Sequence, residues 1–97
     1  MEFTWPIRVY YEDTDAAGVV YHSNYLKYME RARTEWLRKL GFSQEVLREE
    51  TGNIIVVSEM DIKFVRPAKL DDMLEVNSVL IKVTGASFLF EQSIQKM

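Results

Sequence analysis

Cysteine is absent from this chain of 97 residues, and histidine occurs once. There is therefore no disulfide, no thiolate zinc site and no cysteine nucleophile. One histidine and no cysteine also leave no cluster of the kind that holds a metal, and no metal or other cofactor is expected. No apolar run approaches the ~20 residues that a membrane-crossing helix needs. Basic residues do not predominate: 12 Lys and Arg stand against 15 Asp and Glu, a formal charge of −3. The basic patch that a nucleic-acid partner would require is missing. The opening stretch, MEFTWPIRVYYEDTD, carries Glu2 and Arg8 and lacks the apolar core of a signal peptide. These absences lead to the expectation of a soluble, cytoplasmic protein that is not membrane-embedded.

What is present suits one globular domain over residues 1–97, with 47% hydrophobic and 28% charged residues. A chain this short buries a modest share of its surface, so partner chains are expected to supply the rest. Ile7 to Tyr11 reads as a strand and Asp13 to Gly18 as a loop, with Gly18 free to take positive φ. Ser23 is placed as the N-cap of a long helix whose apolar stripe runs Tyr25, Met29, Ala32, Trp36 and Leu40, widened by Leu26 and Leu37. Glu35 and Lys39 form an expected i,i+4 pair, and Gly41 is the stop. A short helix follows from about Ser43 to Glu50, ended by Gly52. Everything after Asn53 reads as β: a strand through Phe64 ended by Pro67, a turn at A-K-L-D-D, a strand from Leu74 to Val83 with a bulge between Val76 and Val79, and a last strand from Ser87 to Met97. A long helix followed by an antiparallel meander makes an α+β arrangement.

The segment YYEDTDAAGVVYHSNYL concentrates three carboxylates and the only histidine. D-T-D-A-A-G copies the start of a calcium loop, but Ala17 stands where the fifth ligand should be, and Asn24 stands where a bidentate glutamate is required. A D-x-D after a strand also resembles the entry to magnesium-dependent phosphotransferases of the dehalogenase type, whose parallel sheet with crossover helices does not fit in this length. A solvated acidic turn is the remaining reading of the segment taken alone.

The longer string YYEDTDAAGVVYHSNYLKYMERARTEWL, continued by FSQEVL and RPAKLDDMLEV, resembles the signature of the 4-hydroxybenzoyl-CoA thioesterase family of hot-dog folds. Within it, the chain is most similar to the YbgC-type bacterial acyl-CoA thioesterases of the Tol–Pal system. The resemblance implies a long central helix wrapped by an antiparallel β-sheet, and a homodimer or homotetramer built by edge-to-edge sheet pairing. Members carry at least one more strand beyond the point matching Met97, so the domain is expected to be C-terminally truncated.

By the same resemblance the chain is an acyl-CoA thioesterase, with acyl carrier protein as the alternative carrier of the acyl group. Asp15 matches the catalytic aspartate and would act as nucleophile or general base. The helix start near His22 would supply the oxyanion site, with the His22 backbone N–H as donor. The His22 side chain and Tyr11 match two further residues of the branch's proposed site. Gly18 lets the loop fold back, and Val19, Val20 and Tyr21 shape an acyl pocket. Ser58 is expected to reach the site of a paired subunit. Arg66, Lys69 and Lys82 are cations near strand ends where a nucleotide phosphate could lie. Asp13 is expected to point away from Asp15, as a turn-forming or solvated residue. The alternative function is a non-catalytic hot-dog protein that binds acyl groups or acyl carrier protein in an envelope-associated complex.

Overall fold

The computed structural model describes residues 2–41, 44–52, 66–83 and 87–97. In chain order these form β1 (Glu2–Arg8), a short 3₁₀ turn (Tyr11–Asp13), α1 (His22–Lys39), α2 (Gln44–Thr51), β2 (Met73–Val83) and β3 (Phe88–Lys96). The three strands make one antiparallel sheet in the order β1-β2-β3. The strand expected over residues 53–64 lies outside the described residues. Among the described residues, no helix is long and apolar enough to cross a membrane.

The inner face of the sheet is written in alternate residues, as the pleat demands. Register aligns Ile7 with Leu74 and Lys96, Trp5 with Val76 and Ile94, and Phe3 with Ser78 and Gln92. Phe3, Ile7, Leu74 and Val76 are buried, Val76 completely. The outer face carries Thr4, Asn77 and Ser93 across one row, and Thr4 Oγ1 donates to Asn77 Oδ1 at 3.0 Å. One face is therefore packed and the other polar, the common state of an antiparallel sheet.

β1 begins five residues earlier than its apolar run predicts, at Glu2 and not at Ile7. Phe3 and Trp5 face inward, and Pro6 is tolerated on a strand that pairs with β2 as the first of the described order. The strand also stops early. Val9 is buried and bonded to the turn before β2, whereas Tyr10 and Tyr11 are exposed at 61% and 82% and enter the 3₁₀ turn. The bulge in β2 falls between Leu80 and Lys82, beyond the expected Val76–Val79. Leu74, Val76 and Ser78 keep a clean alternation because buried Ser78 occupies an inward position that an apolar-only pattern does not count.

α1 covers the inner face with Tyr25, Tyr28, Ala32 and Trp36. The stripe is rotated from the expected one: Tyr28 and Ala32 are fully buried, Met29 is half-buried, and Leu40 is 49% exposed at the C-cap. Ala32, with no side chain beyond Cβ, sits where the helix faces the sheet. Trp36 closes the far end, stacked on Phe3 at 5.8 Å and edge-on to Phe90 at 5.6 Å. Lys39 lies over the Phe3 ring at 5.7 Å, and Glu35 pairs with Arg38 in place of the expected Lys39.

One polar relay crosses the helix–sheet interface. Gln92 Nε2 donates to Ser78 Oγ at 2.9 Å and to the Met29 carbonyl at 3.0 Å, while Arg33 Nη1 donates to Gln92 Oε1 at 2.7 Å. The buried serine is thereby satisfied, as a buried hydroxyl must be. Burial pushes the Arg33 guanidinium below its ordinary value, with the nearby Glu30 opposing the shift.

The rotated stripe makes a measurable distinction. Trp36→Ala should cost about 3–5 kcal/mol, the range for deleting a large buried aromatic side chain. Leu40→Ala should cost under ~1 kcal/mol, as expected at a half-exposed position. Urea unfolding of both variants checks this, and a Leu40 cost equal to that of Trp36 would restore the stripe expected from spacing alone.

Candidate active site

The residues from Asp13 to Tyr21 fold as a miniature hairpin. Tyr21 N–H donates to the Asp13 carbonyl at 2.9 Å, and Asp15 N–H donates to the Val19 carbonyl at 2.9 Å. Thr14 and Val20 form the bridge between these bonds. Gly18 N–H closes the tip on the Asp15 carbonyl at 3.0 Å, with Gly18 at φ 81°. This is a three-residue connection ending in a left-handed residue, a position that glycine fills without steric cost. Asp15 stabilises the tip with its own side chain, since its Oδ1 accepts Ala17 N–H at 2.9 Å.

The hairpin is docked on the sheet side through Val20, whose N–H donates to the Ala68 carbonyl at 2.7 Å, and through the Val19–Lys69 bridge. Ala68 N–H in turn donates to the Tyr25 hydroxyl of α1 at 2.9 Å. The 68–72 turn therefore joins hairpin, helix and β2. Asp72 secures it: Lys69 N–H donates to Asp72 Oδ2 at 2.9 Å, and the Lys96 ammonium lies 3.3 Å from Oδ1. These two partners hold the Asp72 carboxyl below the usual carboxylate range, the backbone bond being the larger cause.

α1 starts where the hairpin ends. Tyr21 is its N-cap, extended at φ −63° and ψ 131°, and supplies no side-chain acceptor to the first turn. Ser23, expected as the cap, is already the second helical residue, because the bond from Tyr21 N–H to Asp13 fixes Tyr21 in the extended conformation a cap requires. His22 is exposed, its ring 4.5 Å from that of Tyr21.

Two open grooves, one of them against the hairpin, share Tyr11 and Leu70 as a common wall. One, of about 500 Å³, is lined by Tyr11, Thr14, Asp15, Ala16, Gly18 and Leu70. The other, of about 560 Å³, runs past Arg8, Val9, Tyr10 and Glu12 to Asp71. An exposed carboxylate at the mouth of a groove, on a hairpin that leads into a helix start, can meet a polarised carbonyl carbon.

Residues 17–96 match the thioesterase superfamily. The chain belongs to that superfamily. It is 52% identical over 94 residues to an acyl-CoA thioesterase, YbgC, of Haemophilus influenzae, covering 97% of this chain and 69% of the relative. Among solved structures, a probable thioesterase from Bartonella henselae superposes with a TM-score of 0.92 at 39% identity, covering 98% of this chain and 79% of that one. A 4-hydroxybenzoyl-CoA thioesterase from a Pseudomonas strain, at 24% identity and a TM-score of 0.90 over 98% of this chain and 70% of that one, shares the fold. The chain is thus an α+β hot-dog thioesterase, a thioester hydrolase by family.

Of the residues singled out in the sequence, the superfamily fold brings Tyr11, Asp15 and Gly18 to one groove and leads directly from them through Val19, Val20 and Tyr21 to His22. Val20 is a core residue at 4% exposure and Val19 is half-buried, so Val20 packs the interior where the resemblance implies an acyl pocket. Ser58 lies outside the described residues. Arg66 is exposed, two residues before Ala68. Lys69 borders the hairpin, whereas Lys82 lies nine residues along β2 from Met73, roughly 30 Å away at ~3.3 Å per residue.

Asp13 takes the turn-forming one of its two expected roles. It is 8% exposed, so it is not solvated. It does form a turn: its Oδ2 accepts Tyr10 N–H at 2.9 Å. Its carbonyl accepts Asn24 Nδ2 at 2.9 Å in addition to Tyr21 N–H. Beneath it lies Tyr28, fully buried, whose hydroxyl proton is held well above its ordinary value by burial first and by the Asp13 carboxylate second. The two groups are electrostatic neighbours, although the Tyr28 hydroxyl completes no hydrogen bond of good geometry among the described residues. Asn24, also buried, has no sequence signal except that of a polar residue next to the apolar stripe.

Gly18 offers a direct check on the hairpin. A Cβ at this position would meet nothing within 4 Å, so the cost of substitution is conformational alone. Gly18→Ala should lose about 1–2 kcal/mol from the left-handed backbone, Gly18→Asn less, and Gly18→Val more. Thermal or urea unfolding of the three variants should reproduce that order, and an Asn variant no better than Val would contradict the tip geometry.

Proposed function

We propose that the chain hydrolyses acyl-CoA thioesters, with Asp15 as the carboxylate that acts on the thioester and the first turn of α1 as the site that receives negative charge on the carbonyl oxygen. The observation that carries this reading is the continuity of one short hairpin from an exposed carboxylate at a groove to the start of a long helix. Its support from relatives is the acyl-CoA thioesterase at 52% identity.

The chemistry follows from the two ends of that hairpin. Attack on the thioester carbonyl carbon places charge on oxygen, and amide donors at a helix start stabilise that charge. Asp15 either bonds to the carbon, giving a mixed anhydride that water then opens, or removes a proton from the attacking water. Both routes break the carbon–sulfur bond, consume one water and release a carboxylic acid and a thiol. Either requires the Asp15 oxygen that Ala17 N–H does not occupy. Tyr11 lines the groove with Asp15 and His22 opens α1, and both are assigned to orienting water or protonating the leaving thiolate. Acyl carrier protein is an alternative carrier of the acyl group, distinguished by comparing it with coenzyme A esters in the same thiol-release assay.

A dimer or tetramer completes the proposed assembly. Val83 and Phe88, paired at the ends of β2 and β3, are each more than half exposed, an apolar pair suited to cover by another chain. Light scattering at micromolar concentration should give a mass of two or four chains, and a clean monomer would refute the assembly.

Asp15→Asn keeps size and the bond to Ala17 N–H but removes the charge. Turnover of acyl-CoA esters should fall by at least ~10²-fold, with little change in KM. Asp13→Asn should cost far less, because an amide oxygen can still accept Tyr10 N–H. Turnover should survive EDTA, since the mechanism assigns no step to a metal. Near-normal turnover in Asp15→Asn, in a variant folded by circular dichroism, would remove Asp15 from the chemistry.

A further inference from the structure

We propose that Asn24 and Asp13 are positioning residues for thioester hydrolysis, holding the Asp15 hairpin at a fixed offset from the first turn of α1. The inference rests on the reading of Asp15 as the reacting carboxylate. Asn24 lies in the first turn of α1 and is 7% exposed. Its backbone N–H is already committed within the helix start, donating to the Tyr21 carbonyl at 2.9 Å. Its side chain does something different: Nδ2 reaches back eleven residues to the Asp13 carbonyl at 2.9 Å. That carbonyl already accepts Tyr21 N–H. The Tyr21 bond alone closes the hairpin. The Asn24 bond is the additional one that ties the hairpin's first residue to a side chain fixed to the helix axis.

The other side of Asp13 is fixed as well. Its carboxylate holds Tyr10 N–H at 2.9 Å, so the 3₁₀ turn that carries Tyr11 moves with it. Tyr28, fully buried, is the carboxylate's electrostatic neighbour, and its hydroxyl proton stays in place because burial and the Asp13 charge both oppose its loss. Asp13 thus accepts three hydrogen bonds, from Tyr10, Tyr21 and Asn24, while Asp15, two residues on, carries the exposed carboxylate. Reacting groups misplaced by ~1 Å can lose ~10²-fold in rate, which makes a rigid offset between carboxylate and helix start a catalytic requirement and not only a structural one. Asparagine suits this role because it is neutral, and its amide donates to a buried carbonyl without placing a charge beside Asp13.

A double-mutant cycle separates this role from simple stability. Asn24→Ala in the full chain should lower kcat for an acyl-CoA ester by ~10-fold or more, with KM within ~3-fold and an unchanged circular dichroism spectrum. In the Asp15→Asn background the same substitution should change the residual rate by less than ~2-fold, because there is no longer a carboxylate to position. Equal losses in both backgrounds, or no loss in either, would overturn the inference. If Asn24→Ala does not fold, Asp13→Ala releases the Tyr10 amide and must give the same pattern, with Asp13→Asn restoring the rate. Failure of the underlying reading looks different: Asp15→Asn itself would then leave turnover unchanged.

Discussion

The carbonyl oxygen of Asp13 takes two hydrogen bonds, from Tyr21 N–H and from the side chain of Asn24, and the site is assembled around it. One bond folds the chain back on itself, and the other fixes the fold-back to α1. Asp13 and Asn24 are both buried, where an unmade bond costs more than a made one gains. The carboxylate of the same aspartate fixes Tyr10. Three segments that would otherwise be independent loops, the end of β1, the hairpin and the start of α1, are therefore referenced to a single residue. A surface loop could carry Asp15 anywhere within several ångströms. This one is tied to the end of β1 and to α1 by the bonds at Asp13.

The helix and sheet serve that placement. Tyr25 packs in the core with its hydroxyl accepting Ala68 N–H, so the same residue that buries the first turn of α1 also seats the 68–72 turn. Val20 donates to Ala68 from the other side. The turn's remaining freedom is limited by Asp72 and Lys96. Leu70 then stands between the two grooves with Tyr11 as a matter of geometry. At the opposite end of α1, Trp36 stacks on Phe3 and meets Phe90 edge-on, which fixes the helix on the sheet. Burying a side chain of this size contributes about 1.5–3 kcal/mol, a large share of the net stability of a small domain.

Much of this is legible in the residues. The long helix, its stop at Gly41, the short helix ended by Gly52, and the two last strands follow from spacing and from glycine's tolerance of positive φ, which both glycines adopt. The departures arise where an apolar pattern misses a buried polar residue, a strand position on the outer face or the end of an element. Tyr28, the largest fully buried side chain, stands three residues after Tyr25 and four before Ala32, a spacing as helical as that of Met29, so periodicity alone does not choose between them. Ser78, a buried polar residue, falls outside its strand's pattern, which moves the expected bulge too early. Thr4 and Pro6 interrupt the apolar run of β1 and delay its expected start, yet they sit on the outer face. Leu40 continues the helical spacing, although the helix ends before it. Polar residues whose partners lie far along the chain, such as Gln92 and Asn24, carry no local signal at all.

The two aspartates of D-T-D lie beyond what residue spacing can resolve. Residues two apart in an extended strand share a face, so alternation cannot send Asp13 and Asp15 in different directions. What separates them is a change of backbone state between them. Asp13 is the last residue of a 3₁₀ turn, with its side chain folded back to Tyr10 N–H. Asp15 begins the hairpin tip, with its side chain folded forward to Ala17 N–H. Each makes the local bond that aspartate favours, one toward the N-terminus and one toward the C-terminus. The opposite directions bury one carboxylate against Tyr28 and leave the other exposed at the groove. A cation would need both carboxylates turned toward one point, and it would need an oxygen ligand from the position that Asn24 holds buried with its amide donating to Asp13. The segment is acidic because one carboxylate builds the turn and the other is presented by it.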